Sequence, residues 1–476
     1  MTAFPDRSGL HDLSARAMST ALRDGDLDPR ELTAHYLDRI AAIDGHVGAF
    51  VEVTADAARA RAARLAADGT TPAARPSLWG LPLGDKDLVA RAGVPTRYGS
   101  RARRDFVPQR SDELAAALDD AGAVSLGKTA TPEFGLTGYT ETSFTPPTRD
   151  PWDPRCGAGG SSGGAAAAVA AGLLPVAPGS DGGGSIRIPA ATVGIVGLKP
   201  SRGRMPIGSG IDSLAGLAVT GPLARTVADA AFLADALRML RPHPFALAAP
   251  HAVDLLPVAL APAPGLRVGV TTTSPWAEDE HIVLDPQARR AVVVAAEMLA
   301  ARRHGVDELA WEPRGYAAMF RTIWRASAAR LPLGEAELDL VEPITAWLVR
   351  EGRALSATRL LDALAAAAAF ERETIAAFAH VDAVLTPALA QTPRPVGWFD
   401  GVDAERNFAQ QVQYAPYSSF VNVAGLPAIV VPVTRDDTGH PVSVQLIGRP
   451  GGEAALVALA AELEDARGPL PHPPLW

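Results

Sequence analysis

Residues 159–204 read GGSSGGAAAAVAAGLLPVAPGSDGGGSIRIPAATVGIVGLKPSRGR. Two glycine clusters in this stretch carry serines: Ser161 and Ser162 in the first, Ser185 in the second. Between them lie a helix-prone run, GGAAAAVAAG, and an apolar strand, LLPVAP. A helix–strand excursion of that size can return the second loop beside the first. Glycine gives up more backbone entropy on folding than any other residue. Three in a row, Gly182, Gly183 and Gly184, directly before one hydroxyl therefore need a reason. A flexible linker would have polar flanks, and these flanks are apolar and strand-like. A loop that turns several backbone N–H groups toward one point fits them better.

The rest of the chain alternates helix and strand signals, which argues an α/β fold. DPRELTAHYLDRI has Asp28 as N-cap, Pro29 at the first helical position and Glu31 three residues after the cap. TADAARARAARLAADG is a second helix, stopped near Gly69. LPLGDKDLV reads as a short strand bearing Lys86. SDELAAALDDAG reads as a helix capped by Ser111, followed by the strand AVSLG. VGIVGLKP is another strand, and a helix starts near Thr226. Residues 241–265 hold six prolines and read as a surface connection. LRVGV, DAVLTP, AIVVPV and VSVQLIG are strands, 285–380 is mostly helical, and 452–466 is a final helix. There is no internal repeat.

Composition narrows the function classes. The 476 residues are 47% hydrophobic and 20% charged, an ordinary globular balance. A formal net charge of −9 gives no basic footprint for nucleic acid. The start lacks the charged-then-apolar layout of a secretory signal, and no apolar run is long enough to span a membrane. A single cysteine, Cys156, excludes an internal disulfide and a multi-cysteine zinc site. No cofactor or metal is expected, and a cytoplasmic location follows. Only three of the 44 Lys-plus-Arg residues are lysines: Lys86, Lys128 and Lys199. Arginine cannot be deprotonated in a protein, whereas a buried lysine can. Each surviving lysine is a candidate for a site that needs a neutral amine or a slimmer side chain.

Two motif matches are resisted. GAVSLGKT, residues 122–129, fits a phosphate-loop pattern, but the strand lies inside the loop and Pro132 obstructs the helix that should follow. Lys128 is read as structural. GGSSG, residues 159–163, fits a nucleophile elbow, but its lead-in is a loop and no downstream histidine sits in a convincing motif.

Lys86 in GDKD, Ser161 and Ser162 in GGSSGG, and Ser185 in DGGGSIR together resemble the amidase signature family of Ser–cis-Ser–Lys amidohydrolases. AGAVSLGKTATPEFG, FVNVAGLPAIVVPV and PVSVQLIGRP are similar to further landmarks of that family, in order, over roughly residues 10–466. The resemblance implies one large α/β/α domain, with a mixed central sheet covered by helices on both faces. It implies a signature core at about 80–240, with variable, substrate-selecting segments at about 241–265 and 300–415. It implies that Ser185 is the acyl-forming nucleophile and Ser161 the bridging serine after a cis Gly160–Ser161 peptide. Lys86 would be the terminal base and Ser162 a support. Asp181 and Arg187 would be a structural pair around the nucleophile loop.

The chemistry suits these roles. An alcohol is a weak nucleophile until a neighbouring base takes its proton. Lysine starts near about 10.4 in water, and burial lowers that value. Negative charge on a reacting carbonyl oxygen is best met by preorganised backbone N–H groups, here those of Gly182, Gly183, Gly184 and Ser185. The chain departs from the family at Gly182, where Thr or Ile is usual, and at Ala158, where Pro is frequent. Cys156 is read as a small filler. Of the aromatics in the variable segments, Trp311, Trp324, Trp347, Trp398, Phe408 and Tyr414, none is assigned to the site. The expected activity is hydrolysis of an amide bond in a small molecule, by a monomer or homodimer. The alternatives are a glutaminase-type component of a tRNA-dependent amidotransferase complex and a non-catalytic ligand-binding member. The latter would be expected to have lost Lys86, Ser161 or Ser185.

Overall fold

A computed structural model describes residues 7–249, 253–263 and 265–476. Eleven strands are formed among them: β1 (Phe50–Val53), β2 (Pro82–Lys86), β3 (Val124–Thr129), β4 (Val176–Asp181), β5 (Val196–Lys199), β6 (Val219–Ala224), β7 (Arg267–Val270), β8 (Gly305–Glu308), β9 (Ala383–Pro387), β10 (Ala428–Arg435) and β11 (Pro441–Gly448). Eight of them make one mixed sheet in the order β4-β6-β5-β10-β11-β9-β7-β8. The ladder is antiparallel from β4 to β9 and parallel from β9 to β8. A three-stranded sheet, β1-β3-β2, completes the set. Its edge strand β2 lies alongside β4, the edge strand of the large sheet. The mixed α/β architecture is the expected one, with the central sheet interrupted at this junction. Lys86 ends β2, and Ser180 and Asp181 end β4.

Helices cover both faces, and the strands say why. Successive residues of a strand point to opposite faces. Leu385, Ile429 and Leu446 enter one apolar core. Their neighbours Val384, Ala428 and Ile447 enter a second. The helices Val227–Arg238, Pro286–Ala301 and Glu453–Arg467 contribute to the first core. The helices Tyr316–Ala329, Pro343–Arg353 and Ala357–Phe378 contribute to the second. The 285–380 region is helical as expected, with β8 as an additional strand. The connection at 241–265 contains a short helix, Leu255–Ala259; its residues 250–252 and 264 lie outside the described residues. No helix among the described residues is long and apolar enough to cross a membrane.

Local capping follows the sequence with one exception. Asp28 accepts from the Arg30 N–H, and Thr226 from the Asp229 N–H. Ser111 is not a cap: the helix is Glu113–Asp120, with Asp112 in the cap position. Both side chains are drawn elsewhere, Ser111 accepting from the Ala92 N–H and Asp112 from the Ala90 N–H. GAVSLGKT is confirmed as no phosphate loop. It is the turn into β3 and β3 itself, with Lys128 buried beside Asp87.

The helix Gly163–Ala170 is buried along its whole length. A Cβ on Gly164 would stand 2.2 Å from the Ala130 nitrogen and 2.5 Å from the Ala49 carbonyl oxygen. In an open helix, glycine to alanine gains up to about 1 kcal/mol. Here the sign reverses, because rigid backbone occupies the space. Gly164→Ala is expected to lose about 2–3 kcal/mol of unfolding free energy. Urea denaturation measures it, and a neutral or stabilising result would show that the helix can move off the β3 segment.

Candidate active site

The excursion from Ser161 to Ser185 closes as the sequence suggests. The helix Gly163–Ala170 leads to β4, and the loop after β4 returns to the first serine cluster. There the Ser162 N–H donates to the Ser185 carbonyl at 3.1 Å. The Gly160–Ser161 peptide is cis. Gly160 cannot be replaced by a larger residue without movement, since its Cβ would stand 2.8 Å from the Tyr139 backbone.

Lys86 is 2% exposed. Its Nζ lies 2.8 Å from Ser161 Oγ, 2.9 Å from Ser162 Oγ and 3.1 Å from Ser180 Oγ. Among the described residues, no carboxylate is bonded to the amine. Burial brings its pKa down to about 7, with Asp181 pulling weakly the other way. Lys128 and Lys199 are also buried. Lys128 bonds to the Val89 carbonyl and to Thr96, and Lys199 to the Pro200 carbonyl. Lys86 is thus the lysine that the fold brings to the serines.

Asp181 and Arg187 form a fully buried, bidentate pair at 2.9 Å for both bonds. Burial alone would raise the Asp181 pKa, but Arg187, Lys199 and Asn422 outweigh it and hold the carboxyl well below its usual range. The carboxylate also accepts the N–H groups of Gly184 (2.7 Å) and Ile186 (3.1 Å), which fixes the bend of the loop. This corrects one expectation. The Gly184 N–H is turned inward to Asp181 and is no donor to a ligand. Among the described residues, the N–H groups of Gly182, Gly183 and Ser185 have no protein partner. Gly184 is glycine for conformational reasons, with φ +131° and a Cβ position 2.3 Å from Ser418 Oγ. Arg187 continues outward to the Ser418 carbonyl, Gln445 Oε1 and Asn422 Oδ1.

Ser185 opens onto a cleft. Its walls include Gly183, Ile188, Trp276, Phe320, Trp324 and Phe408, with Gln411, Tyr414 and Ser419 among the polar members. Trp324, Phe408 and Tyr414 therefore belong to the pocket. Trp311 sits in the second core, and Trp347 and Trp398 pack against the cores from outside the cleft. The Trp324 ring edge lies 3.8 Å from where a Gly182 Cβ would be, an ordinary contact distance. Trp276 lies between the two segments expected to be variable. It carries no motif, and neither does Ser180, though Ser180 directly precedes Asp181. Asn422 and Gln445 are each a lone amide in an apolar run, FVNVAG and VSVQLIG, and that signal could have marked them. Cys156 stands away from the lysine and serines, against Asp153 and the Pro393 carbonyl. Among the described residues, no group of three or more His, Cys, Asp or Glu side chains is placed to hold a metal ion.

The site is thus a buried lysine among the serines of two loops, beside an aromatic cleft, and comparison with known proteins gives the class of protein that carries it. The amidase family profile matches residues 31–457. AmiB2 of Mycobacterium tuberculosis is 37% identical over 467 residues, covering 97% of this chain and 98% of that protein. A glutamyl-tRNA(Gln) amidotransferase protein of a Synechococcus species is 35% identical over 473 residues, covering 94% and 95%. Among solved structures, 6-aminohexanoate cyclic dimer hydrolase in complex with substrate superposes with a TM-score of 0.88 at 29% identity, covering 98% and 99%. The chain belongs to the amidase signature family.

Removing one member of a buried ion pair strands the other, at about 3–5 kcal/mol. Arg187→Met is expected to lose that much stability in chemical denaturation. A loss under about 1 kcal/mol would mean that Asp181 does not depend on its partner.

Proposed function

We propose that this chain hydrolyses a carbon–nitrogen amide bond of a small, uncharged substrate through a seryl acyl-enzyme on Ser185. The observation that carries the proposal is the buried Lys86 amine, whose pKa is brought down to about 7 so that the neutral form is populated at pH 7, within hydrogen-bond distance of Ser161. A neutral amine has two N–H donors and one lone pair, so one of its three hydroxyl neighbours must donate to it. Ser162 is the poorest candidate, because its own proton is directed at the Ser180 carbonyl, 3.3 Å away. Ser161, at the shortest distance, passes its proton to Lys86 and takes one from Ser185 as Ser185 attacks the carbonyl carbon. The amine leaves with a proton returned along the same relay. Water then repeats the sequence on the ester. Gly182, Gly183 and Ser185 supply the backbone N–H groups that meet the charge on the carbonyl oxygen. Asp181 and Arg187 hold the loop that aims them.

The glutaminase reading would need partners for the ammonium and carboxylate of a free amino acid, and among the described residues no charged side chain lines the cleft. A non-catalytic member would have no need of a desolvated lysine set among serine hydroxyls, since burying an amine without a carboxylate partner costs stability.

The base must be neutral, so kcat/KM is expected to rise with pH through about 7, the value to which burial brings Lys86, and to fall on the acid side. Lys86→Arg keeps a positive charge and removes the base. It is expected to fold and to lose about 10³-fold or more in turnover. Near-normal turnover by Lys86→Arg, read as released amine, would sink the relay.

Labelling separates the serines. A phosphonylating reagent is expected to modify Ser185, mapped to the SDGGGSIR peptide. Ser161→Ala should label slowly at the same place, and Ser185→Ala should neither label nor turn over. An adduct on Ser161, with Ser185→Ala still active, would overturn the assignment.

A further inference from the structure

The cleft beside Ser185 contains a hydroxyl whose hydrogen bonds are nearly all decided by its neighbours. Ser419 Oγ lies 3.1 Å from Trp276 Nε1 and 2.8 Å from the Tyr316 hydroxyl. The indole N–H can only donate. Tyr316 is fully buried, and Ser419 is its one hydrogen-bond partner among the described residues. Either Tyr316 donates to Ser419, and the Ser419 proton is left over, or Ser419 donates to Tyr316, and the phenol proton is left over inside the core. A polar hydrogen without an acceptor in the core costs about 1–3 kcal/mol, whereas one that faces the cleft can meet water or a ligand. The first arrangement wins. Ser419 therefore accepts twice and keeps its own O–H for the cleft, which it lines together with Gly183 and Ser185.

The other polar groups of the wall are largely engaged. Thr137 donates to the Tyr139 carbonyl. Thr192 donates to the Ile188 carbonyl, which makes it the acceptor for the Tyr414 hydroxyl. Gln411 accepts from the Gly138 N–H and donates to Asn407. The remaining walls are the aromatic rings of Trp276, Phe320, Trp324 and Phe408, and none of the described lining residues is charged. Such a cavity favours an apolar or aromatic group and rejects ions.

We propose that Ser419 is a specificity-determining donor. The cleft takes an uncharged, mainly apolar or aromatic acyl group that carries one neutral hydrogen-bond acceptor, such as an ether, a carbonyl or a ring nitrogen. The proposal rests on the reading of this cleft as the acyl site of an amidase.

The test uses matched amides that differ only in the acceptor: phenyl against pyridyl acyl groups, and alkyl ether against alkyl chains. Binding is measured by calorimetry on Ser185→Ala, with and without Ser419→Ala, so that no turnover is needed. With Ser419 present, the better acceptor-bearing members should bind about three- to tenfold more tightly than their partners, as one net hydrogen bond allows. With Ser419→Ala that ratio should fall to about one, while the purely apolar members bind as before. Where Ser419→Ala does not fold, because Trp276 and Tyr316 lose their acceptor, the double variant Ser419→Ala/Tyr316→Phe removes the buried hydroxyl as well and should give the same loss. A ratio that survives removal of the hydroxyl would overturn the proposal and pass the role to the remaining N–H groups of Gln411 or Trp324. Tight binding with no preference in any pair would overturn it too, as would a panel in which no amide binds. The amidase reading fails separately, when the unaltered protein releases amine from no member of the panel.

Discussion

An amine kept out of water is the constraint around which this site is arranged. Three hydroxyls surround the Lys86 nitrogen, from Ser161, Ser162 and Ser180, and no carboxylate of the described residues is bonded to it. Hydroxyls can donate or accept, so they serve the neutral amine as well as the charged one. A carboxylate in the same place would favour the ammonium form and remove the base. The nearest acidic influence, Asp181, is largely neutralised by Arg187. The gap in the sheet ladder between β2 and β4 fits this need. Lysine comes from one sheet edge and Ser180 from the other, and the two edges lie side by side with side chains, in place of a backbone ladder, joining them across the lysine.

The nucleophile loop and the aromatic cleft divide the remaining work. The loop is bent by the Asp181 carboxylate, which accepts the N–H groups of Gly184 and Ile186. The cleft beside it presents ring faces and a few hydroxyls. Arg321 stands over the Trp276 and Phe408 rings at 5.5 and 5.0 Å and is tied to Glu280, so two of the walls are held from behind by a cation that does not line the cavity.

Local chemistry was legible in the sequence wherever one residue type had a single good reason to be present. The lysines among so many arginines marked buried amines, and all three are buried. The glycines before Ser185 marked a tight loop, in which the N–H groups of Gly182 and Gly183 have no protein partner among the described residues. The caps at Asp28 and Thr226 marked helix starts. What stayed hidden depends on contacts far along the chain. Nothing near Gly184 says that its N–H is taken by Asp181 while those of Gly182 and Gly183 are free. Trp276 and Phe320 look like core aromatics, and only packing turns them toward Ser185. Trp311 and Trp324 are both tryptophans of one variable segment, yet one faces a core and the other the cleft. Ser111 failed as a cap because a neighbouring loop offered its oxygen a different N–H.

Every group proposed to move a proton or to meet the charge on the reacting carbonyl oxygen lies between residues 86 and 185. The groups that lock Arg187 come from much further on: Ser418, Asn422 and Gln445 lie 231, 235 and 258 positions downstream of it. A chain still emerging from the ribosome thus contains the complete serine–lysine set well before it contains the residues that brace the nucleophile loop. Without those three, Arg187 would keep only its pair with Asp181. The brace on this loop is therefore a long-range one, and a chain cut short of Ser418 would leave the Asp181–Arg187 pair without its outer partners.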